Sequence, residues 1–279
     1  MVNIRLLDSK VLAQSSKPIS IVLGFISFVT IFVEIPDDLK LWVLLGAVLF
    51  IGLIHISSWI RLKKLTHIKV KVDNTQVTVK VGDIFEQDGL KVIAFNEYFD
   101  TTVDDVLIAR NTLNGRFLTE KLDIRTSDLD KRIAKYPFHE DDVLEVNEQR
   151  RVGKKVRYKL GTIYPHGDEY LLAAFSRFND RNKAVLTMPE YLAFMINFWD
   201  NLNNIYAGRN VSTTIMGSGI TLITKHRGIS AHELLKIMLW TYRVSETRVA
   251  RPAILSVIVG NDLAKEINFA EIEAATHGL

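Results

Sequence analysis

The stretch Ile215-Met-Gly-Ser-Gly-Ile-Thr-Leu-Ile223, "IMGSGITLI", decides how this chain is read. Apolar residues lead into Gly217, Ser218 and Gly219 and resume at once afterwards. A strand ending in Gly-Ser-Gly admits two readings. It is a tight turn, or it is a loop whose successive backbone N–H groups converge on an anion. Two nucleotide signatures are excluded: Leu222 stands where a dinucleotide fingerprint needs its third glycine, and no Gly-Lys-Ser/Thr follows as in a P-loop. Taken alone, the triplet is a turn signal.

The surrounding pattern gives it a context. "HIKVKV" and "TQVTVKV" alternate apolar and polar residues as half-buried strands do, with a hairpin turn at Asp73 to Thr75. "GLKVIAFN" (Gly89 to Asn96), "NVSTTIMG" (Asn210 to Gly217) and "PAILSVIVG" (Pro252 to Gly260) read as more buried strands. "VRYKLGTIYP" and "EYLLAAFSRF" add two more around "HGD", after a charged loop or hairpin from His139. Helical spacing appears in Thr101 to Leu113 with Thr102 as cap, and in Thr126 to Tyr136 with Ser127 as cap. It recurs in Met188 to Gly208, where Met195, Phe198 and Trp199 form a core face, and in Ser230 to Ser245 with Ser230 as cap. Strands separated by helices imply an α/β domain with a mixed sheet covered on both faces. In such a sheet, ligands sit beyond the carboxyl ends of the strands. Three strand ends carry polar or glycine signals: "VGDI" (Val81 to Ile84), "VIAFN" (Val92 to Asn96) and "IMGSGIT" (Ile215 to Thr221).

The first sixty residues are different. "PISIVLGFISFVTIFVEIP" (Pro18 to Pro36) and "LWVLLGAVLFIGLIHISSWI" (Leu41 to Ile60) are apolar on all faces. Crossing a bilayer takes about 20 apolar residues, so spans over about 18–35 and 41–60 are expected. A signal peptide would need a small-x-small cleavage site, and a second span arrives instead. The short connector "EIPDDLK" makes the spans antiparallel. Basic residues flank both outer ends (Arg5, Lys10, Lys17; Arg61, Lys63, Lys64), which puts both termini in the cytoplasm. Two domains follow: residues 1–64 as a transmembrane hairpin, and 65–279 as a cytoplasmic ligand-binding domain. His55, inside the second block, is either a packing contact or a pore-facing group.

Composition narrows the classes. A net charge of +3 is too small to argue for nucleic-acid binding, and none is expected. The chain has no cysteine, which excludes disulfides and cysteine-ligated zinc. His166, His226 and His232 are scattered, His232-Glu233 lacks metalloprotease spacing, and no serine sits in a nucleophile elbow, so neither a metal site nor a catalytic residue is assigned.

Together the three strand ends resemble the macro-domain family, three-layer α/β/α modules that bind ADP-ribose. The resemblance implies that Asp83 accepts from the adenine amino group while the Ile84 N–H reads the ring. It implies that Asn96 contacts the distal ribose, and that Gly217, Ser218, Gly219, Ile220 and Thr221 surround the diphosphate. "RNTLNGRFL" stands at the first phosphate loop, which makes Asn114 and Gly115 candidate contacts. Asp100, near Asp104 and Asp105, is either a further ligand contact or helix N-terminal charge compensation. Three departures stand out: Ile93 replaces the family's first asparagine, the first phosphate loop has only Gly115 where the family's is glycine-rich, and residues 141–181 have no counterpart in a minimal macro domain.

"NEYFDTTVDD", "LNGRF", "GTIYPH" and "LLAAFSRF" further resemble membrane-anchored macro-domain effectors of type II Thoeris antiphage defence. That resemblance implies a multi-pass inner-membrane protein with no resident cofactor, which binds an ADP-ribose-derived messenger. A TIR-domain enzyme would make the messenger, with histidine-ADP-ribose the expected form. Binding would drive self-association and membrane disruption in the lipid bilayer. The alternative is a membrane-bound hydrolase of ADP-ribose derivatives.

Overall fold

The computed structural model describes residues 5–72, 75–179, 183–219, 221–223, 229–245 and 249–275. The Asp73–Thr75 turn, Ile220 and His226 therefore fall wholly or partly outside the described residues.

Two helices open the chain. Helix α1 (Ser9–Phe32) starts where the Asp8 side chain accepts from the Lys10 N–H. Helix α2 (Asp37–Lys64) starts after Pro36, with Asp37 and Asp38 in its first turn and Arg61, Lys63 and Lys64 in its last. Both sets of charges oppose the helix dipole. At 1.5 Å per residue these helices are roughly 36 and 42 Å long, enough to cross a hydrocarbon layer of about 30 Å. Their apolar side chains are mostly exposed, Phe25, Ile31, Trp42 and Leu49 among them. Monomeric soluble proteins rarely present such a continuous apolar surface to water. Both helices outrun the apolar blocks at their charged ends. There Val11 and Leu62 are buried in the core of the following domain, so the hairpin is rooted in it.

Strand β1 (His67–Val72) pairs antiparallel with β2 (Thr75–Val81). Then come β3 (Leu90–Asn96), the short helix α3 (Leu113–Arg116), a π-turn (Phe117–Lys121) and α4 (Thr126–Lys135). A separate hairpin of β4 (Val143–Val146) and β5 (Val156–Tyr158) precedes β6 (Ile163–His166), β7 (Tyr170–Phe178) and β8 (Ala184–Leu186). Helix α5 (Met188–Ile205), β9 (Val211–Thr214), β10 (Leu222–Ile223), α6 (Ala231–Val244), β11 (Leu255–Val259) and α7 (Phe269–Ala275) complete the chain. The sheet order is β1-β2-β11-β9-β3-β7-β8-β10, with β6 also on β7. Strands β2, β11, β9, β3 and β7 run parallel to one another.

Alternation along the central strands sorts two cores. Leu171, Ala173 and Phe175 of β7 face α5 and α6, with Phe194, Phe198 and Leu235. Leu172 and Ala174 face the other way, with Phe117, Leu129 and Ile133. This is the expected three-layer α/β/α arrangement with a mixed sheet. Thr187 and Ser230 form capping boxes with Glu190 and Glu233, which fixes the starts of α5 and α6.

Local expectations fail in three places. Thr101 to Leu113 is an irregular loop, because Asp104 accepts from the Val106 and Leu107 N–H groups and Asp105 from Arg110, in place of helical bonds. Helix α4 begins two residues earlier than a Ser127 cap implies, with Arg125 at its N-cap. Strands β8 and β10 are only three and two residues long, too short to leave a period in the sequence.

Candidate ligand-binding cleft

Strands β3 and β9 share only two register partners, Leu90 with Val211 and Lys91 with Ser212. Beyond them the strands separate. The connection from β3 crosses one face of the sheet through α3 and α4, whereas that from β9 crosses the other through α6. Such a divergence opens a crevice at the carboxyl ends of parallel strands. A cleft of about 540 Å³ lies there, walled by the ends of β3, β7, β9 and β11 and by residues before α3.

The Gly-Ser-Gly loop forms one wall. Gly217 has φ +85°, a left-handed conformation that favours glycine. The loop is fastened from behind: Tyr191 donates its O–H to the Met216 carbonyl at 2.9 Å, and Met216 N–H points at the Met238 sulfur at 3.2 Å. The Ser218 hydroxyl donates to the Ile215 carbonyl at 2.7 Å, so it closes the turn. The triplet is a tight turn, and that turn displays the loop's backbone at the mouth of the cleft. The Gly217 and Gly219 N–H groups have no acceptor among the described residues.

Six of the sequence-selected residues line this cleft: Asn96, Asn114, Gly217, Ser218, Gly219 and Thr221. Asn96 is nearly committed. Its carbonyl oxygen accepts from the Tyr98 and Asp100 N–H groups at 3.0 and 3.3 Å, and its amide donates to Asp100 at 2.9 Å. Asn114 accepts from the Thr112 hydroxyl and the Gly115 N–H at 2.6 and 3.1 Å.

Four others stand back from the cleft. Gly115 is packed beneath it, where a Cβ would run into the Ala109 carbonyl oxygen. Ile84 is buried at 2% exposure. Asp83 caps the turn Ile84–Glu86 by accepting from the Phe85 N–H at 3.0 Å, and its other oxygen meets Arg116 at 2.9 Å. Burial pushes the Asp83 carboxyl up, but the Phe85 N–H and the Arg116 guanidinium outweigh it and hold the group below its usual value. Asp100, only 1% exposed, is gripped by Arg150 at 2.6 and 3.1 Å and by the Lys154 N–H at 2.8 Å. It therefore anchors the β4–β5 hairpin, and no helix begins beside it for its charge to compensate. Ile220 lies outside the described residues.

Sequence reasoning missed two parts of the cleft. Arg116 is its sole cation among the described residues, and the bond to Asp83 raises its already high pKa. It lies within the segment assigned to the first phosphate loop, so the signal was present. Gly260, Asn261 and Asp262 line the cleft at the end of β11, a fourth strand end to which the same rule applied. Among the described residues no three His, Asp or Glu side chains converge on a metal-sized point. His166 pairs with Asp123 and His232 with Glu271.

The fold and the cleft at its strand ends define a macro-type α/β/α module. Residues 77–260 match the family model described as Thoeris protein ThsA, Macro domain. The chain is 36% identical over 252 residues to Thoeris protein ThsA of Bacillus amyloliquefaciens (strain Y2), covering 87% of this chain and 82% of that one. It belongs to the Thoeris ThsA macro-domain family. Among solved structures, a single-substitution mutant of the Oceanobacillus iheyensis macrodomain aligns with a TM-score of 0.49 at 12% identity, over 76% of this chain and 99% of that one. The same macrodomain with ADP aligns with a TM-score of 0.45 at 13% identity, over 76% of this chain and 98% of that one.

Proposed function

We propose that this chain is a membrane-anchored Thoeris effector whose cleft binds an ADP-ribose-derived messenger made by a TIR-domain enzyme, histidine-ADP-ribose being the form expected. Residues 1–64 span the inner membrane twice, with both termini and residues 65–279 in the cytoplasm. Binding drives self-association of the hairpins, and the membrane loses integrity.

One observation carries the reading: a cleft combining a glycine loop and a single arginine is rooted to two exposed apolar helices in one chain. Backbone N–H groups and an arginine suit a diphosphate. The loop from Gly217 to Thr221 and Arg116 take the phosphates, while Asn96 and Asn114 take the distal ribose side. Asp83 and Ile84 hold the adenine end, Asp83 partly by positioning Arg116. Asp100 and Gly115 shape the site from behind. Lipid-facing helices carry little intrinsic drive to associate, so contacts made outside the bilayer can decide assembly. A ligand shifts that equilibrium by its differential affinity for the two states.

The test uses the full chain in dye-loaded vesicles. ADP-ribose and its histidine conjugate should bind by calorimetry, and the conjugate should trigger dye release together with larger oligomers on crosslinking. Saturated binding with monomeric protein and intact vesicles would refute the effector reading. Turnover of an ADP-ribose ester, abolished by Asn96→Ala, would establish the hydrolase instead.

A further inference from the structure

One side chain at the root of the hairpin, Lys10, bonds the segment that continues from the wall of the cleft. Gly260 to Leu263 line the cleft. Leu263 opens a single 3-10 turn, Leu263–Lys265, in which the Ala264 N–H bonds to the Gly260 carbonyl at 3.0 Å and the Glu266 N–H to Leu263 at 2.9 Å. At the far end of this segment the carbonyls of Lys265 and Ile267 accept from Lys10 Nζ at 2.7 and 3.5 Å. The segment is no loose strap: Ala264 and Ile267 are 3% and 2% exposed.

Lys10 sits in the first turn of α1 beside Val11, which is fully buried in the domain core. Just over a turn further on, Ser15 is also buried, and its hydroxyl meets His55 Nδ1 of α2 at 3.0 Å. The other ring nitrogen of His55 donates to the Leu6 carbonyl at 2.9 Å. That assignment is forced, because a carbonyl only accepts. The polar contacts therefore run from the cleft wall through residues 260–267 to Lys10, along α1 to Ser15, and across to α2. A second charged link, Arg61 to Glu273 at 3.5 Å, joins two well-exposed groups and contributes little. The Lys10 bonds are charge-assisted and go to two carbonyls of one segment, the Lys265 bond at the surface and the Ile267 bond partly buried.

We infer that Lys10 couples occupancy of the cleft to the packing of the two apolar helices, by tying the 260–267 segment to the root of α1. The inference rests on the reading of the cleft as an ADP-ribose site. A ligand touching residues 260–263 biases where the Lys265 and Ile267 carbonyls stand, and Lys10 follows them. By linkage, the hairpin's packing alters ligand affinity by the same factor.

The test is hydrogen–deuterium exchange of the full chain in nanodiscs, with calorimetry on the same samples. Lys10→Met keeps the side chain's length and removes its charge. Arg5→Gln removes one charge from the same flank and serves as control. Without ligand, Lys10→Met should speed exchange of the Ala264 and Glu266 amides by about tenfold while Arg5→Gln does not. With saturating ADP-ribose, wild type and Arg5→Gln should change exchange across residues 9–16, whereas Lys10→Met should not, although its Kd stays within about threefold. Unchanged exchange at Ala264 and Glu266 in Lys10→Met overturns the coupling, as does undiminished transmission of the ligand effect. If wild type fails to bind ADP-ribose, the reading of the cleft falls, and the ligand-free comparison still decides the role of Lys10.

Discussion

Replacing Gly217 by alanine tests whether backbone geometry is what makes the loop a cradle. At φ +85° an L residue costs about 1–2 kcal/mol. The added Cβ would stand 3.3 Å from Tyr191 Cε2, 3.5 Å from Phe175 Cζ and 3.6 Å from Ile223 Cδ1. Tyr191 has no room to retreat, because it is fully buried, bonded to the Met216 carbonyl and packed edge-on against Phe175. Crowding of that kind adds roughly 1 kcal/mol, for a sum of about 2–3 kcal/mol. The cost must surface in one of two places. If the loop keeps its shape, the whole sum is lost from folding stability and affinity is spared. If the loop relaxes, stability falls less, and a ligand that requires the native loop binds more weakly by the remainder, up to roughly 30- to 140-fold. Gly219→Ala is the internal control. Among the described residues no atom beyond its chain neighbours stands within 4 Å of its added Cβ, so its stability should move by less than about 0.5 kcal/mol. Chemical denaturation followed by circular dichroism, paired with ADP-ribose calorimetry, reads both terms on the full chain in detergent. Gly217→Ala matching Gly219→Ala in both measurements would refute the argument.

Three further outcomes follow from the same geometry. Arg116→Ala should weaken ADP-ribose binding by roughly 10- to 150-fold, the range for a lost hydrogen bond to a charged group, and flatten its salt dependence; affinity that is unchanged at low salt would remove Arg116 from the site. Arg150→Met strands a buried carboxylate and should cost about 3–5 kcal/mol in unfolding measurements, and adding Asp100→Asn should recover part of it. Asp83 has a depressed folded pKa, so its contribution is fully present above its ordinary value of 3.8 and is lost as pH falls below it. The stability gap between wild type and Asp83→Asn should therefore stay constant above that value and close below it, which acid-titrated melting curves can check.

The legible part of this fold was the part written in long periods. The β1–β2 alternation, the core face of α5 and the buried strands β3 and β11 each bury enough apolar surface to mark themselves. The Ser230 cap marked the start of α6. What failed was governed by single polar side chains. Thr101 to Leu113 carries apolar residues at near-helical spacing, yet two carboxylates bonding their own backbone break it. In the cleft, strand-end reasoning found the backbone loops, because glycine requirements are local. It missed the consequences of pairing at a distance: Arg116 meets Asp83 across 33 residues, and Arg150 meets Asp100 across 50.

That pairing bears on what the cleft selects. Asp100, Asp104 and Asp105 look equivalent in sequence but do separate work. Asp100 clamps the inserted hairpin, Asp104 organises the loop that follows, and Asp105, itself in a left-handed conformation of φ +61°, holds the Arg110 N–H. Asn96 is drawn into the first of these tasks through its bond to Asp100. The polar side chains nearest the end of β3 are thus largely committed to structure before any ligand arrives. General acid–base chemistry needs a group with a free valence positioned on the reacting atom. Asp262 is the carboxylate that lines the cleft among the described residues, and it sits at the end of β11, on the segment that leads to Lys10. On the proposed reading, recognition falls to the Gly217–Gly219 backbone, to Arg116 and to the 260–262 wall, which together offer a phosphate-bearing ligand backbone N–H groups and one cation.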